Sequence, residues 1–404
     1  MPLEEIVRLA ARGDGVTASG RYVPLTAPGD RVDEDGAVTP GPHHQRPPCR
    51  HFPECGGCQV QQVDDAAFAG YLADRIASAL AAQGLAAPEI RAAHISPPNS
   101  RRRASLKAER RGKTVLLGFH AEASHRIIDM RECHILRPEL FALVAPLREL
   151  LGTLLGPRAG GGVAMTLADQ GVDLLLDRVD ADSLAAAEAL GAFARAHRLA
   201  RLGLDDGYGA QTRWEPDPVT VTLGGVAVPL PPAAFLQATR EGEAALVAAV
   251  REAVGGARIV ADLFAGLGTF ALSLQGRILA AEGARDAALA LKAAANAAGR
   301  ALFVDHRDLF RRPYTAVELN RFEAVVLDPP RAGAKEQVAA LAGSTVPRLA
   351  YVSCNPATFA RDARALVDGG YRLDWILPVG QFRWSTHVEL AAAFSRAGER
   401  GAAP

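Results

Sequence analysis

From about residue 231 onward the chain alternates strand-like and helix-like segments, and that alternation narrows the possible folds more than any other feature. ARIVADLFAG is an apolar run ending in glycines, TFALSLQG reads as helical, RILAAEG as a strand and ARDAALALKAAANAAG as a long alanine-rich helix. ALFVDHRD, FEAVVLDPP and RLAYVSCNP follow as further buried-type strands. Such alternation predicts an α/β unit with a mostly parallel, doubly wound sheet. Ligands of these sheets bind outside the carboxyl ends of the strands, so the polar residues at those ends are the functional candidates.

The preceding residues are organised differently. Up to about residue 45, short apolar pieces such as GRYVPL are broken by turn signals such as APGD, which predicts a small β unit; TPGPHHQRPP then reads as an extended linker. Residues 63–85 carry apolar positions at helical spacing and end at Gly84. Between about 95 and 230 short strands predominate, including KTVLLGFHA, HRIIDM and PVTVTLGGVAVPL, with helical stretches at 137–155 and 182–198. The resulting division is 1–45, 46–230 (a central α+β domain) and 231–404.

No run approaches the ~18 apolar residues of a membrane span, and no secretory leader opens the chain, so a soluble, cytoplasmic protein is expected. Lys plus Arg and Asp plus Glu number 45 each, so overall charge does not announce a nucleic-acid partner. Locally, SRRRASLKAERRGK (100–113) sets seven basic side chains against Glu109 alone. That run reads either as a phosphate-binding surface or as a strand edge kept soluble by its charges.

Several strand ends carry chemistry. In DLFAGLGTF (262–270) a glycine pair permits a tight turn and close approach of a ligand, with Asp262 at the strand tip. Glu282 closes the next strand, where an acid can hold both hydroxyls of a ribose; the G-x-G spacing suits S-adenosylmethionine better than a dinucleotide. LDPPRAG (327–333) puts Asp328 before a rigid Pro-Pro corner. VSCNPATFARD (352–362) puts Cys354 at another tip, near a helix start and arginines, conditions that favour a thiolate nucleophile over an inert buried thiol. Elsewhere, CRHFPECGGCQVQQ (49–62) holds three of the five cysteines in ten positions; with no secretory leader and a chain of this length, the thiols are expected to be reduced and so to be ligands.

DLFAGLGTF, LDPPRAGA, VSCNPATFARD and THVELA, in this order and spacing, resemble the RNA (uracil-5-)-methyltransferases, which act on transfer RNA or 23S ribosomal RNA. The C-x5-C-G-G-C segment extends the resemblance to the whole chain. It implies a C-terminal Rossmann-like SAM methyltransferase sheet, the central α+β domain, and a TRAM/OB-like β domain shortened by its last strand or two. It further implies a [4Fe-4S] cluster on Cys49, Cys55, Cys58 and Cys133; zinc on the same four thiolates is the chemical alternative, and His51 is expected to be structural rather than a ligand. Cys354 is implied as the nucleophile that adds to uracil C6, and Glu389 as the general base. S-adenosylmethionine contacts are implied for Gln237, Phe264, Thr269, Glu282, Asp308 and Asp328.

With an RNA partner implied, 23S rRNA favoured over transfer RNA, phosphate contacts are expected from some of Arg101, Arg102, Arg103, Lys107, Arg110, Arg111 and Lys113. The target uridine should be splayed from its stack, with Phe382 and Trp384 either stacking surfaces or core. Ala265 and Thr239 depart from the family's usual cysteine and asparagine. A monomer is the default, and a non-catalytic RNA-binding protein with a methyltransferase fold is the alternative, which the presence of both Cys354 and Glu389 disfavours.

Overall fold

Ile259–Leu263, four apolar residues around Asp262, is buried between two parallel neighbours, Arg277–Glu282 and Ala324–Leu327. The computed structural model describes residues 3–396. Across the main sheet the order is Leu302–His306, Arg277–Glu282, Ile259–Leu263, Ala324–Leu327, Arg348–Ser353, Glu389–Arg396, Tyr371–Gly380. The first five are parallel, and Glu389–Arg396 runs antiparallel to both its neighbours. The doubly wound sheet expected from the alternation is therefore present. Strand order reverses about Ile259–Leu263, which opens a crevice at its carboxyl end.

Helix Arg240–Val254 buries Leu246, Val250 and Val254 against one face of the sheet, and helix Pro356–Asp368 buries Phe359, Ala363 and Leu366 against the other. Thr239 caps the former by accepting from the Gly242 N–H, with Glu241 and Glu243 in the first turn, where carboxylates favour the helix dipole.

Three sequence expectations need correction. TFALSLQG is not an α-helix: Gly266–Ser273 winds through consecutive turns, and positive φ at Phe264, Gly266 and Gly268 interrupts any regular helix at its start. HRIIDM forms no strand, only an isolated bridge between His120 and Ile127. Residues 65–95, assigned by sequence to the central unit, pack with the C-terminal one. Helix Asp65–Ala82 places Phe68, Leu72, Ile76 and Leu80 in the core that holds Phe359 and Phe394. Glu89–Ile90 and His94–Ile95 then pair with Tyr371–Gly380, covering the sheet's edge. The hairpin Thr220–Leu223/Val226–Pro229 likewise buries its valines in the C-terminal core.

The central unit is a six-stranded sheet in which Arg103–Arg111 pairs with Thr114–Gly118 and Gly160–Leu167. Helix Val144–Leu154 buries Leu147, Leu150, Leu151 and Leu154 on it, and helix Leu184–Ala196 buries Leu190 and Phe193. The N-terminal unit has five strands, because the segments after GDR do pair: Arg31–Val32 with Glu4–Glu5 and with Val38–Thr39. Its shortening lies in strand length, two residues in each of these last strands. Among the described residues, no helix is long and apolar enough to cross a membrane.

Candidate active site

The carboxyl ends of the four central parallel strands open on a cavity of about 710 Å³. Every residue expected as a cofactor contact, nucleophile or base lines it: Gln237, Phe264, Thr269, Glu282, Asp308 and Asp328, together with Cys354 and Glu389. These positions span more than 150 residues of sequence, and the topology alone collects them.

The glycine loop is held from below and from the side. Asp262 is fully buried; one oxygen accepts from the Ala271 N–H at 2.8 Å, and burial, with a smaller contribution from Glu282, raises its carboxyl to about 7. Glu282 accepts from the Gly266 N–H at 2.7 Å and the Ala284 N–H at 2.6 Å, fixing loop and strand tip together. Phe264, held at φ 64, lies against Phe310 with ring centroids 5.4 Å apart. Asp308 accepts from the Phe310 and Arg311 N–H groups.

The opposite wall is acidic. Glu389, 7 % exposed, opens its strand with a carboxyl raised to about 7 by burial, against the opposing effects of a hydrogen bond from Gln381 and the charge of Arg103. Burial also holds the Asp328 carboxyl well above the usual range, with Glu389 and Asp262 adding to the effect. Cys354 is half-buried, and its thiol is raised by burial, then by the charges of Glu389 and Asp328, with Arg331 opposing. The sequence expectation of a thiolate-favouring tip is therefore corrected: burial first, and then the two acids, favour the protonated thiol. The tip itself is rigid. Asn355 caps helix Pro356–Asp368 and donates to the Arg331 carbonyl at 3.1 Å, tying the SCNP turn to the DPPR loop.

Sequence reading missed Gln381, Arg103 and Arg331 as parts of this wall. Gln381 sits eight residues before Glu389 with no local signal; only its three hydrogen bonds in the folded protein reveal it.

Part of the basic run is structural. Arg102 is 2 % exposed, donating through Nε to the Gln237 carbonyl at 3.0 Å and through Nη2 to Glu243 at 2.5 Å. Arg110 donates to the Leu155 carbonyl, Arg111 pairs with Glu109, Arg101 lies over Phe382, and Arg103 lies under Phe235 at 4.3 Å. The expected phosphate contacts thus fail for Arg102, which is sealed inside. Trp384 is core rather than a stacking surface: 5 % exposed, it packs on Cys58 and Ile135, and its carbonyl accepts from the Gln59 and Val60 N–H groups. Phe382 stays partly exposed beside His387.

Cys49, Cys55, Cys58 and Cys133 surround a second, small cavity walled by Phe52, Phe119, Ile128 and Met130. Burial raises all four thiols, Cys58 to about 12, and their mutual charges add to it. Among the described residues, no three His, Cys, Asp or Glu side chains are grouped to hold a metal ion. His51 accepts from the Arg131 N–H at 2.9 Å, the structural role expected of it.

Residues 246–397 match the family model for tRNA (uracil-5-)-methyltransferases. An RNA methyltransferase of Zymomonas mobilis is 53 % identical over 98 % of this chain and 100 % of its own length. The 23S rRNA (uracil(1939)-C(5))-methyltransferase of Chromohalobacter salexigens is 33 % identical over 98 % of this chain and 90 % of its own. The chain belongs to the RNA (uracil-5-)-methyltransferase family. In fold, the Pyrococcus abyssi tRNA (uracil-54, C5)-methyltransferase, solved with S-adenosyl-L-homocysteine, superimposes over 97 % of this chain and 99 % of its own with a TM-score of 0.74 at 20 % identity. The uracil-5-methyltransferase architecture is thus present across all three units, and the cavity at the strand ends is the family member's candidate active site.

Proposed function

We propose that this RNA methyltransferase transfers the methyl group of S-adenosylmethionine to C5 of a uridine in 23S rRNA. The observation that carries the reading is the convergence of a strand-tip thiol, Cys354, and a buried carboxyl near neutral pKa, Glu389, on one cavity with the glycine loop. The methyl donor occupies the side of the cavity formed by Phe264, Thr269, Glu282 and Asp308, where Glu282 has lone pairs for ribose hydroxyls beyond the two backbone donors it serves. The target uracil occupies the side formed by Gln237, Asp328, Cys354 and Glu389. Of the two RNA classes, 23S rRNA is favoured by the full-length relative that acts on it.

C5 of uracil is too weak a nucleophile to attack a sulfonium unaided. Cys354 Sγ, as thiolate, forms a bond to C6 and shifts the ring's π electrons to an enolate. C5 then takes the methyl group as the sulfonium carbon–sulfur bond breaks. The adduct keeps the original hydrogen on C5. Glu389 removes it as general base, the C6–Sγ bond breaks, and Cys354 leaves as thiolate. Burial, with the charges of Glu389 and Asp328 adding to it, raises the Cys354 thiol, so its deprotonation belongs to the substrate complex, while Glu389 stays the carboxylate that later takes the C5 proton.

Four thiols lining one small cavity are the donor set of a [4Fe-4S] cluster, which Cys49, Cys55, Cys58 and Cys133 would hold. When bound, such a cluster supplies a covalent clamp between the segment 49–58 and Cys133. The test of the function is methyl incorporation from labelled S-adenosylmethionine into unmodified 23S rRNA and, separately, bulk transfer RNA, with the product nucleoside located by mass spectrometry. 5-Methyluridine in the rRNA alone is expected; its appearance only in transfer RNA would transfer the assignment, and its absence from both would end it.

A further inference from the structure

Gln381 is 2 % exposed and sits behind the wall formed by Gln237 and Glu389, which both reach the cavity while Gln381 does not line it. Its amide has three partners. Oε1 accepts from the Thr239 backbone N–H at 3.3 Å, and Nε2 donates to Gln237 Oε1 at 2.7 Å and to Glu389 Oε2. A backbone N–H can only donate, so the atom facing Thr239 must be the amide oxygen, and the amide's two hydrogens are left for Gln237 and Glu389. This in turn fixes Gln237: its oxygen faces Gln381, and its Nε2 faces Asp328 Oδ2, 3.5 Å away.

A second observation concerns the same side chain. Gly242 lies in the first turn of helix Arg240–Val254, although glycine is a poor helix former. A Cβ there would come within 2.3 Å of Gln381 Cγ and 2.8 Å of Cδ. The glycine makes room for the glutamine.

We propose that Gln381 is a positioning residue for the reaction, holding the Glu389 carboxyl at the cavity wall and setting the amide of Gln237 so that it offers N–H rather than oxygen to that wall. The proposal rests on the assignment of Glu389 as base in the proposed function. Facing Glu389 are Arg103 from the central sheet, Asp328 and Cys354 from the neighbouring strand tips, and Gln237 and Gln381. Loss of Gln381 removes the hydrogen-bond donor to the Glu389 carboxylate, leaving the Arg103 charge to oppose its burial. Proton removal from C5 suffers, while Cys354 addition and methyl transfer, which do not use Glu389, continue.

The experiment compares wild type, Gln381→Leu and Gly242→Ala on C5-tritiated 23S rRNA, following both detergent-stable RNA–protein adduct and tritium release from pH 6 to 9. In Gln381→Leu the adduct is expected to accumulate. Tritium release should fall about tenfold at pH 7, with its acid limb moved up by about one pH unit, the worth of one hydrogen bond to a charged group. Gly242→Ala should show the same split in milder form, since it displaces the same side chain. Equal loss of adduct and of release, or no change in either, would overturn the proposal, because a purely structural role lowers both together. Should wild type form neither adduct nor release on any RNA, the function itself fails. The positioning role is then read from a crystal structure of Gln381→Leu: displaced Gln237 and Glu389 side chains support it, and unmoved ones overturn it.

Discussion

Replacing Glu389 with glutamine should inactivate the enzyme and, at alkaline pH, stabilise it. The carboxyl is 7 % exposed and titrates near 7 instead of its ordinary 4.5, with burial the main cause. Between those values the unfolded chain is ionised and the folded one protonated, so the native state binds more protons and stability falls as pH rises. The contribution is fully present below about pH 4.5 and gone above about pH 7. At 1.36 kcal/mol per pH unit, the penalty carried by the ionised folded protein is about 3 kcal/mol. Glutamine keeps an oxygen for the Gln381 donor but carries no charge to bury. Thermal melts of wild type and Glu389→Gln across pH 5 to 8.5 measure the difference. With roughly 2–4 °C per kcal/mol for a cooperative unit of this size, the variant should melt roughly 6–12 °C higher at pH 8 and only about 2–3 °C higher at pH 5, where less than about 1 kcal/mol of the penalty is present. The same variant lacks a negative charge beside Cys354, so the pH midpoint for alkylation of the Cys354 peptide should fall. A variant that is no more stable at pH 8, or equally stabilised at pH 5, would refute the buried-charge reasoning.

Other outcomes follow from the same geometry. Cys354→Ala should abolish both adduct and methyl transfer while leaving S-adenosylhomocysteine binding intact by calorimetry, since the glycine loop and Glu282, proposed to hold the methyl donor, do not depend on the thiol for their hydrogen bonds. Arg102→Met should cost about 3 kcal/mol in denaturant unfolding, because it strands Glu243, 14 % exposed, without its partner. Cys133→Ser should lose iron and acid-labile sulfide from anaerobically purified protein, and raise amide exchange at Gln59 and Val60, whose N–H groups bond the Trp384 carbonyl beside the cysteine cavity.

The catalytic unit was legible because its strands are near-continuous apolar runs that end in functional residues. Asp262, Glu282, Asp328 and Cys354 all lie at or next to the tips where the sheet opens. Thr239 was readable as a cap because capping is a local event over three residues. What failed is non-local. The helix Asp65–Ala82 shows its amphipathic period in sequence, but nothing in that period says that its partner is Pro356–Asp368, some 290 residues on. Arg102 and Arg110 look like surface charge because sequence cannot show that Glu243 and the Leu155 carbonyl await them. Trp384, two residues after the half-exposed Phe382, is turned inward by a positive φ that no residue type there announces. Gln381 belongs to the same class: its role is defined by Thr239, Gln237 and Glu389, which reach it from two separate parts of the chain.

Methylation of C5 requires its original hydrogen to leave, and tritium release from RNA labelled at uridine C5 measures that event alone. With anaerobically purified enzyme, S-adenosylmethionine and unmodified 23S rRNA, release is predicted in proportion to methyl transfer, and not at all for Cys354→Ala. Methyl incorporation without tritium release would place the methyl group elsewhere on the nucleoside and contradict the roles of Cys354 as nucleophile and Glu389 as base.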